Sequence, residues 1–198
     1  MKKIALLSLL IVVSSFTLAK NKNAGFYAGA NIGIVSSETY LLEDGSFGAK
    51  TNTGGMMSLG YQFNKYFATE LSYLYIGNSS AYGIDQNQSF LTANVKGIMP
   101  LNKKFNVFAK AGLGYNFASI NGSPKILLPN LNVPVNSNNL TSVLGIGLGY
   151  NITKCIQLTV SDDYYVVPVP KFNDSNASST NFGFGNTNFF SLGINYKF

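Results

Sequence analysis

The stretch that decides the fold is residues 190–198, Phe-Ser-Leu-Gly-Ile-Asn-Tyr-Lys-Phe. Large apolar side chains occupy every second position, and small or polar residues lie between them. This strict period of two is typical of a β-strand with one apolar and one polar face. A strand that turns its apolar face outward suits a closed barrel in lipid. The outward residues of this terminal strand are Phe190, Leu192, Ile194, Tyr196 and Phe198.

Seven earlier segments show the same alternation, and each has about the ten residues that a tilted membrane strand needs. They are residues 26–35, 54–63, 66–76, 90–99, 105–117, 141–152 and 155–167. Together with the terminal strand they predict an all-β fold, an eight-stranded antiparallel up-and-down transmembrane β-barrel. A soluble β-sandwich also shows alternation, but the apolar outer face on nearly every strand weighs against it.

The connections between the predicted strands alternate in length. Short turns follow the second, fourth and sixth strands, at residues 64–65, 101–104 and 153–154. Long connections rich in Asn, Ser and Gly follow the other strands, at residues 36–53, 77–89, 119–140 and 168–188. Short periplasmic turns and long outer loops are the pattern of outer-membrane barrels, and this pattern places both termini in the periplasm.

The amino-terminal end predicts export. Lys2 and Lys3 precede an apolar run at residues 4–13, and the small residues Thr17 and Ala19 follow it. A run of about ten apolar residues is too short for a membrane helix, so a secretory signal is favoured over a buried helix. The expected organisation is a cleaved signal peptide at residues 1–19 and an outer-membrane barrel domain at residues 20–198.

The composition argues against catalysis and cofactors. The chain has no His and one Cys, which removes His-based acid–base steps and the usual metal-ligand sets. Its 14 basic residues outnumber 8 acidic ones but form no clustered stripe of the kind that nucleic acid needs. We therefore expect no enzyme activity, no cofactor, no metal and no nucleic-acid partner. Cys155 is expected to fill a small inward slot.

Two motifs have an ordinary structural interpretation. The glycines of Gly145-Ile146-Gly147-Leu148-Gly149 have a period of two and no helix follows them, so they line a strand rather than a dinucleotide site. Adjacent strand residues point to opposite faces, so Asp162 and Asp163 cannot share a substrate. Alternation places Asp162 on the lipid face, and we expect a bulge there that re-aims both carboxylates.

Three charged residues are predicted to face the barrel interior at similar depth: Glu70, Lys96 and Lys110. A charge removed from water is unfavourable unless it is paired, so Glu70 is expected to meet at least one of the lysines. The three residues either form a structural plug or act as the gate of a narrow channel. The small interior of an eight-stranded barrel favours the plug.

The predicted fifth and sixth strands carry glycines at inward positions, so one inner wall of the barrel has little side-chain volume. We expect large inward residues to lean into this space and water to fill the remainder as closed pockets. The glycines concerned are Gly112, Gly114, Gly145, Gly147 and Gly149, and the large inward residues are Tyr27, Phe108, Tyr165 and Phe189.

The third long loop carries aliphatic residues outside the predicted bilayer. They form a candidate contact surface, a lid over the barrel mouth, or an upward hairpin of the flanking strands. Pro124, Pro129 and Pro134 limit pairing and argue against a long hairpin. The candidate contact residues are Lys125, Ile126, Leu127, Leu128 and Leu131.

In their order along the chain, several motifs resemble the transmembrane barrel of the outer-membrane protein A (OmpA) family. Residues 66–73, YFATELSY, look like its third strand with an inward Glu, and residues 96–100, KGIMP, are similar to its fourth strand with an inward Lys. Lys110 falls where its fifth strand has an inward Arg, and residues 191–198, SLGINYKF, look like its final strand.

Two departures from the family pattern change what this resemblance implies. The second inward acid and base of the family are replaced by Gly149 and Thr159, and the sequence stops at Phe198. A barrel-only member without a peptidoglycan-binding domain is therefore expected.

The expected function is a structural and surface-interaction role in the outer membrane, through membrane integrity, adhesion or partner binding by the four outer loops. The alternative is a narrow, porin-like channel for water or small ions. The expected partners are outer-membrane lipid, the barrel-assembly machinery through the C-terminal strand, and a host or surface protein through the outer loops. The barrel is expected to be a monomer.

Overall fold

The computed structural model describes residues 24–40, 47–81, 84–122, 135–167 and 184–198. The predicted signal peptide at residues 1–19 lies outside these ranges, and so does the candidate contact surface of the third loop. In the described part of the chain, no helix has both the length and the apolar character to cross a bilayer.

Eight antiparallel strands close into a barrel. Each strand pairs with its neighbours in sequence, and β1 pairs with β8 to close the ring. This confirms the predicted eight-stranded up-and-down architecture. The strands are β1 (Gly25–Tyr40), β2 (Phe47–Gln62), β3 (Phe67–Ala81), β4 (Ile84–Pro100), β5 (Phe105–Gly122), β6 (Val135–Asn151), β7 (Ile156–Val166) and β8 (Phe184–Lys197).

The outer surface of the barrel is covered by large apolar side chains. Ile32, Met57 and Phe198 expose 71%, 73% and 76% of their surface, while the residues next to them along the strand are buried or half-buried. A continuous apolar belt of this kind needs lipid rather than water around it. The predicted outward row of the terminal strand, from Phe190 to Phe198, belongs to this surface.

One end of the barrel, here called the turn end, carries the three short turns. Each turn is fixed by a side-chain oxygen that accepts backbone N–H bonds, as Asn and Thr do in tight turns. Asn64 Oδ1 accepts from Tyr66 N at 2.7 Å, and Asn102 Oδ1 accepts from Phe105 N at 2.8 Å. Thr153 Oγ1 accepts from Ile156 N at 2.9 Å. The sequence thus specifies where each strand reverses.

At the opposite end, here called the loop end, most strands extend further than predicted. Pairing reaches Tyr40↔Phe47 between β1 and β2 and Ile120↔Val135 between β5 and β6, inside segments predicted as loops. Most residues of these extensions are polar, such as Ser36, Ser37, Asn136 and Ser137, so the extensions lack the apolar alternation that marks the membrane part of each strand. Pro124, Pro129 and Pro134 all lie between Ile120 and Val135 in the sequence, so they do not interrupt this pairing.

The barrel wall divides at the loop end. Pairing between β2 and β3 begins at Gly54↔Ile76, although β2 starts at Phe47 and β3 continues to Ala81. Over the same height, β2 stays paired with β1 and β3 stays paired with β4. β6 and β7 likewise pair only from Ser142↔Val166, although β6 begins at Val135. Within the described ranges, the strands therefore separate above these points into two groups, β8–β1–β2 and β3–β4–β5–β6.

Two expectations about single residues are wrong. Cys155 is exposed and does not fill an inward slot, because the turn held by Thr153 extends through it and β7 begins only at Ile156. No bulge occurs at Asp162, which pairs in unbroken register with Ile146 and Phe190 and faces outward. The register is held because Asp163, facing inward, forms an ion pair within the barrel.

Aromatic side chains form two outward rows. The row at the turn end contains close ring pairs, such as Phe26 with Tyr61 and Tyr196 with Phe198. The second row, called the loop-side aromatic row, lies near the loop end of the apolar belt. Such paired rows mark the two interfaces of a membrane barrel. The members of the loop-side aromatic row are Tyr73, Tyr75, Tyr115, Phe117, Tyr164 and Phe190.

Candidate functional site

The described part of the barrel interior contains four buried charged side chains, here called the charge cluster. They are Glu70 on β3, Lys96 on β4, Lys110 on β5 and Asp163 on β7, and none exposes more than 7% of its side chain. Lys96 and Lys110 are direct cross-strand partners. Two like charges placed opposite each other repel, so each requires an acidic neighbour.

Glu70 is the hub of the cluster. Its carboxylate lies 3.7 Å from Lys96 Nζ through Oε2 and 3.7 Å from Lys110 Nζ through Oε1. Tyr27 OH donates to Oε2 and Ser72 Oγ donates to Oε1, both at 2.9 Å. Charge-assisted bonds of this kind offset the cost of removing a carboxylate from water. The structure thus brings together all three charges that the sequence placed inside.

Asp163 supplies the shortest ion pair of the cluster and was missed in the sequence analysis. Its Oδ2 lies 2.9 Å from Lys110 Nζ, and its side chain is fully buried. The barrel therefore has a second inward acid, although Gly149 and Thr159 replace the second acid and base of the family pattern; it lies on β7, four residues beyond Thr159. With two acids and two lysines, the cluster has a formal charge of zero (2 − 2).

Glycines let side chains meet across an intervening strand. Gly60 lies between Tyr27 and Glu70 in one inward row, and Gly145 lies between Lys110 and Asp163 in another. A Cβ at Gly145 would meet the Asp163 carboxylate and come within 2.9 Å of Lys110 Cε. The inward glycines are thus the sequence signal that could have located Asp163, because its partner lies two strands away.

The predicted filling of the glycine wall is correct in part. The Phe108 ring occupies the space above Gly147. The other glycines of this wall are contacted by polar side chains or neighbouring backbone; Asn106 and Gln157, for example, cover Gly149. A cavity of about 10 Å³ remains beside the charge cluster, about the size that one water molecule requires.

Lys96 differs from Lys110 in its surroundings. Its Nζ lies 3.9 Å from the centroid of the Phe108 ring and 5.7 Å from that of Tyr27. A cation above an aromatic face is stabilised by the ring quadrupole, most strongly when it is desolvated. Lys96 therefore depends less on Glu70 than Lys110 depends on its two carboxylates.

An apolar layer lies on the loop-end side of the charge cluster. Along β3 it begins four residues after Glu70, at Leu74, and along β7 it begins two residues after Asp163, at Tyr165. Phe90 and Tyr165 contact each other across the lumen with ring centroids 4.6 Å apart. The layer contains Val35, Met56, Leu74, Ile76, Phe90, Val143, Tyr165, Val167 and Phe189, all less than 5% exposed.

These two layers determine what the interior can do. The charge cluster ties β1, β3, β4, β5 and β7 together, and the apolar layer fills the lumen above it. Within the described ranges, no three His, Cys, Asp or Glu side chains group so as to hold a metal ion. The arrangement suits a rigid, filled barrel.

Comparison with known proteins identifies relatives of the same architecture. The sequence matches the outer membrane protein beta-barrel domain family over residues 4–198. No curated protein matches the sequence. Among solved structures, Neisserial surface protein A is similar with a TM-score of 0.65 at 16% identity, covering 88% of this chain and 97% of that one.

Two further solved structures are similar in fold. Ail, the attachment invasion locus protein of Yersinia pestis, solved with the heparin analogue sucrose octasulfate, has a TM-score of 0.54 at 16% identity, covering 88% and 99% of the two chains. The N-terminal barrel domain of Pseudomonas aeruginosa OprF has a TM-score of 0.52 at 13% identity, covering 85% and 97%. At these identities the likeness extends to the fold alone.

Proposed function

Because the chain belongs to the outer membrane protein beta-barrel domain family, we propose that this outer-membrane barrel has a structural and surface-interaction role and does not conduct ions. The proposal has two parts. The membrane-embedded body serves membrane integrity as a filled cylinder, and the loop end presents a contact surface at the cell exterior.

The observation that carries the first part is the apolar layer. Phe90, Phe189 and Val35 are completely buried and belong with Tyr165 to one apolar cluster inside the barrel. Two buried polar residues, Asn116 and Thr187, are the cross-strand partners of Phe90 and Tyr165, so this level of the lumen is largely apolar. An ion crossing the layer would lose most of its hydration in a section of the lumen that is filled mainly by apolar side chains. Interiors of eight-stranded barrels are in general filled by side chains, which agrees with this proposal.

A planar-bilayer recording tests the closed barrel directly. Purified, folded protein should add no stepwise conductance above the bare membrane, in symmetric potassium chloride at either polarity. Folding is checked by the shift in gel mobility between heated and unheated samples. Stable conductance steps from the folded form would favour the narrow-channel alternative, for which the water-sized cavity beside the charge cluster is the supporting feature.

The second part of the proposal concerns orientation and the outer loops. We place the turn end, with both termini, in the periplasm and the loop end outside, because short turns face the periplasm in outer-membrane barrels. The paired strands that continue to Ile120 and Val135 would then raise the third loop above the membrane. Its aliphatic residues, Leu127 and Leu128 in particular, would be available to a host or surface protein.

Replacing Leu127 and Leu128 with Ser tests this contact surface. Adhesion of cells that display the variant should fall, while the heat-induced shift in gel mobility stays that of the wild type. Asn132→Ser, a polar change in the same loop, is the matched control and should adhere normally. Unchanged adhesion by the folded double variant would contradict the proposal, and loss of folding would indicate a lid instead.

We also propose that the barrel-assembly machinery recognises the outward row of β8. Phe198→Ala should lower the yield of folded barrel in cells while leaving refolding of the purified chain in detergent unchanged. Phe26→Ala removes another exposed ring at the turn end and serves as the control. Equal losses for the two variants in cells would mean that β8 has no special role.

A further inference from the structure

A slot on the outer surface of the barrel lies within the loop-side aromatic row. Tyr75, Ser89, Phe117 and Asn138 occupy one cross-strand row over β3, β4, β5 and β6, and all line the slot. The small side chain of Ser89 separates the two aromatic residues by two strand spacings, roughly 10 Å. The rings thus form two walls and Ser89 forms the floor between them.

The slot is large enough for part of an organic ligand. Its cavity volume is about 360 Å³, inside the range of roughly 300–1,000 Å³ that is usual for small-molecule sites. Aromatic walls with a few convergent polar groups are typical of such sites. The polar groups are the carboxamides of Asn87, Gln88 and Asn138 and the hydroxyl of Ser89, with Gln88 buried on the inner side. Among the side chains that the structure describes, none that lines the slot is charged.

Asn87 provides the strongest indication of a ligand. Its Oδ1 atom is buried and accepts no hydrogen bond. The register between β3 and β4 shifts beside it, where Ile76 pairs with Gln88 but Ser79 pairs with Gln86, so β3 has one residue more than β4 there. Bulges commonly re-aim a side chain near a site. A buried acceptor without a donor is unfavourable, and a ligand hydroxyl would relieve it.

We propose that this slot binds a sugar ring of a glycolipid headgroup in the outer leaflet of the same membrane. A sugar ring offers an apolar C–H face to an aromatic wall and hydroxyl groups to the carboxamides of Asn87 and Asn138. An acyl chain would leave the Asn87 acceptor unpaired, and a phosphate would find no charge. The slot lies at the loop-side aromatic row, where the apolar belt ends and headgroups begin.

Native mass spectrometry of the full chain, folded in an amine-oxide detergent, tests the proposal. The probe is purified lipid A, whose acyl chains carry a phosphorylated glucosamine disaccharide. Phosphatidic acid with matched acyl chains carries the phosphate without the sugar, and the free disaccharide carries the sugar without the lipid. One lipid A per barrel should bind with an affinity well above that for either comparison ligand.

Two variants locate the site. Ser89→Phe fills the floor between the walls and should weaken lipid A binding by about tenfold or more. Asn87→Leu removes the unpaired acceptor and should weaken lipid A binding several-fold without changing phosphatidic acid binding. The matched control is Ala93→Phe, which adds the same ring on the outer face of β4, between Leu71 and Leu113. It should bind lipid A as the wild type does.

Three results would overturn the proposal. Unchanged lipid A binding by folded Ser89→Phe would show that the slot is not the site. Phosphatidic acid that binds as tightly and is weakened equally by Ser89→Phe would identify an acyl-chain groove. Free disaccharide that binds as tightly as lipid A would mean that the sugar comes from a soluble glycan and not from the membrane.

Discussion

The charge cluster and the apolar layer both fill the lumen of the barrel, but one consists of charged side chains and the other of apolar ones. In the charge cluster, two carboxylates and two ammonium groups neutralise one another through specific contacts of 2.9 to 3.7 Å. In the apolar layer, nine side chains exclude water with almost no directional bonds, apart from the Tyr165 hydroxyl that points to Met56 Sδ at 3.9 Å. The charge cluster depends on specific ion pairs, and the apolar layer depends on how its side chains pack.

The two layers contribute differently to stability and specificity. Buried ion pairs are weak evidence for stability, since apolar replacements of similar volume are often neutral or better, but losing one partner is costly. The charge cluster therefore penalises wrong strand registers, because any shift by one residue would turn a charge to lipid. The apolar layer tolerates the replacement of one apolar side chain by another of similar volume. Its packing determines whether the lumen is open.

The largest effect is expected from emptying the apolar layer. Phe90→Ala combined with Phe189→Ala removes two fully buried rings, each worth about 3–5 kcal/mol of unfolding free energy. Urea titration in lipid vesicles measures the loss, and planar-bilayer recordings should show new conductance steps. Phe190→Ala, on the lipid face beside Phe189, is the control and should stay closed. A double variant that remains non-conducting would mean that the seal lies elsewhere.

Removing Lys110 should have the next largest effect. Lys110→Met leaves Asp163 without its partner and Glu70 with one lysine, a loss of about 3–5 kcal/mol. Lys110→Met with Asp163→Leu should recover most of this loss in urea titrations, because the unpaired buried charge disappears. If the double variant is as unstable as the sum of the single changes, the pair does not act as a unit.

The contact between Glu70 and Lys96 should show a smaller coupling. Glu70→Gln and Lys96→Met should each lower resistance to heat unfolding in detergent, and the double change should cost less than the sum, by about 0.5–3 kcal/mol. The interaction is weaker than that of Lys110 because Lys96 also rests on the Phe108 ring. Strict additivity in the double-mutant cycle would show that the two side chains do not interact.

Adding a methyl group at Gly145 tests whether the lack of a side chain there allows Lys110 to reach Asp163. Gly145→Ala places a Cβ between Lys110 and Asp163, and we expect a loss of about 1–3 kcal/mol from this overpacking. Gly55→Ala is the matched control, because its Cβ would face outward with its nearest neighbour at 4.0 Å. Equal unfolding free energies for the two variants would rule out a bridging role for Gly145.

The smallest effect is expected at Asp162, although its neighbour Asp163 is essential to the cluster. Asp162 faces outward two residues from Tyr164, near the loop-end interface, where a carboxylate costs little. Asp162→Leu should therefore leave the unfolding free energy in vesicles within about 1 kcal/mol of the wild type. A large loss would indicate that the outward carboxylate has a partner in the membrane.

The membrane part of the fold can be predicted from the sequence because lipid imposes a strict period of two. The five outward residues predicted for the terminal strand, from Phe190 to Phe198, are all exposed on the outer surface. The prediction fails where that constraint ends. Beyond Tyr75 and Phe117 the strands continue in water, and polar residues such as Ser119 on paired backbone resemble those of a loop.

The interior was predicted less completely because its contacts depend on register between distant strands. Glu70, Lys96 and Lys110 stood out as charges on apolar strands, and adjacent strands bring them together. Asp163 was assigned to a bulge, because nothing local shows that Lys110 reaches it across Gly145. Nothing in the sequence distinguishes Leu74 and Val35 from other inward residues. Their place in the apolar layer follows from the packing of strands across the lumen.

Above Gly54 and Ile76 the barrel wall is divided, so the strand extensions at the loop end form two groups that can change separately. Each group of strands continues its own hydrogen-bond ladder, so an insertion in the hairpin of β1 and β2 need not alter the pairing of β3 with β4. Amides in the two groups should exchange with solvent independently, while amides below the division exchange together. The protein can therefore vary the surface of one group without disturbing the other or the body that anchors both.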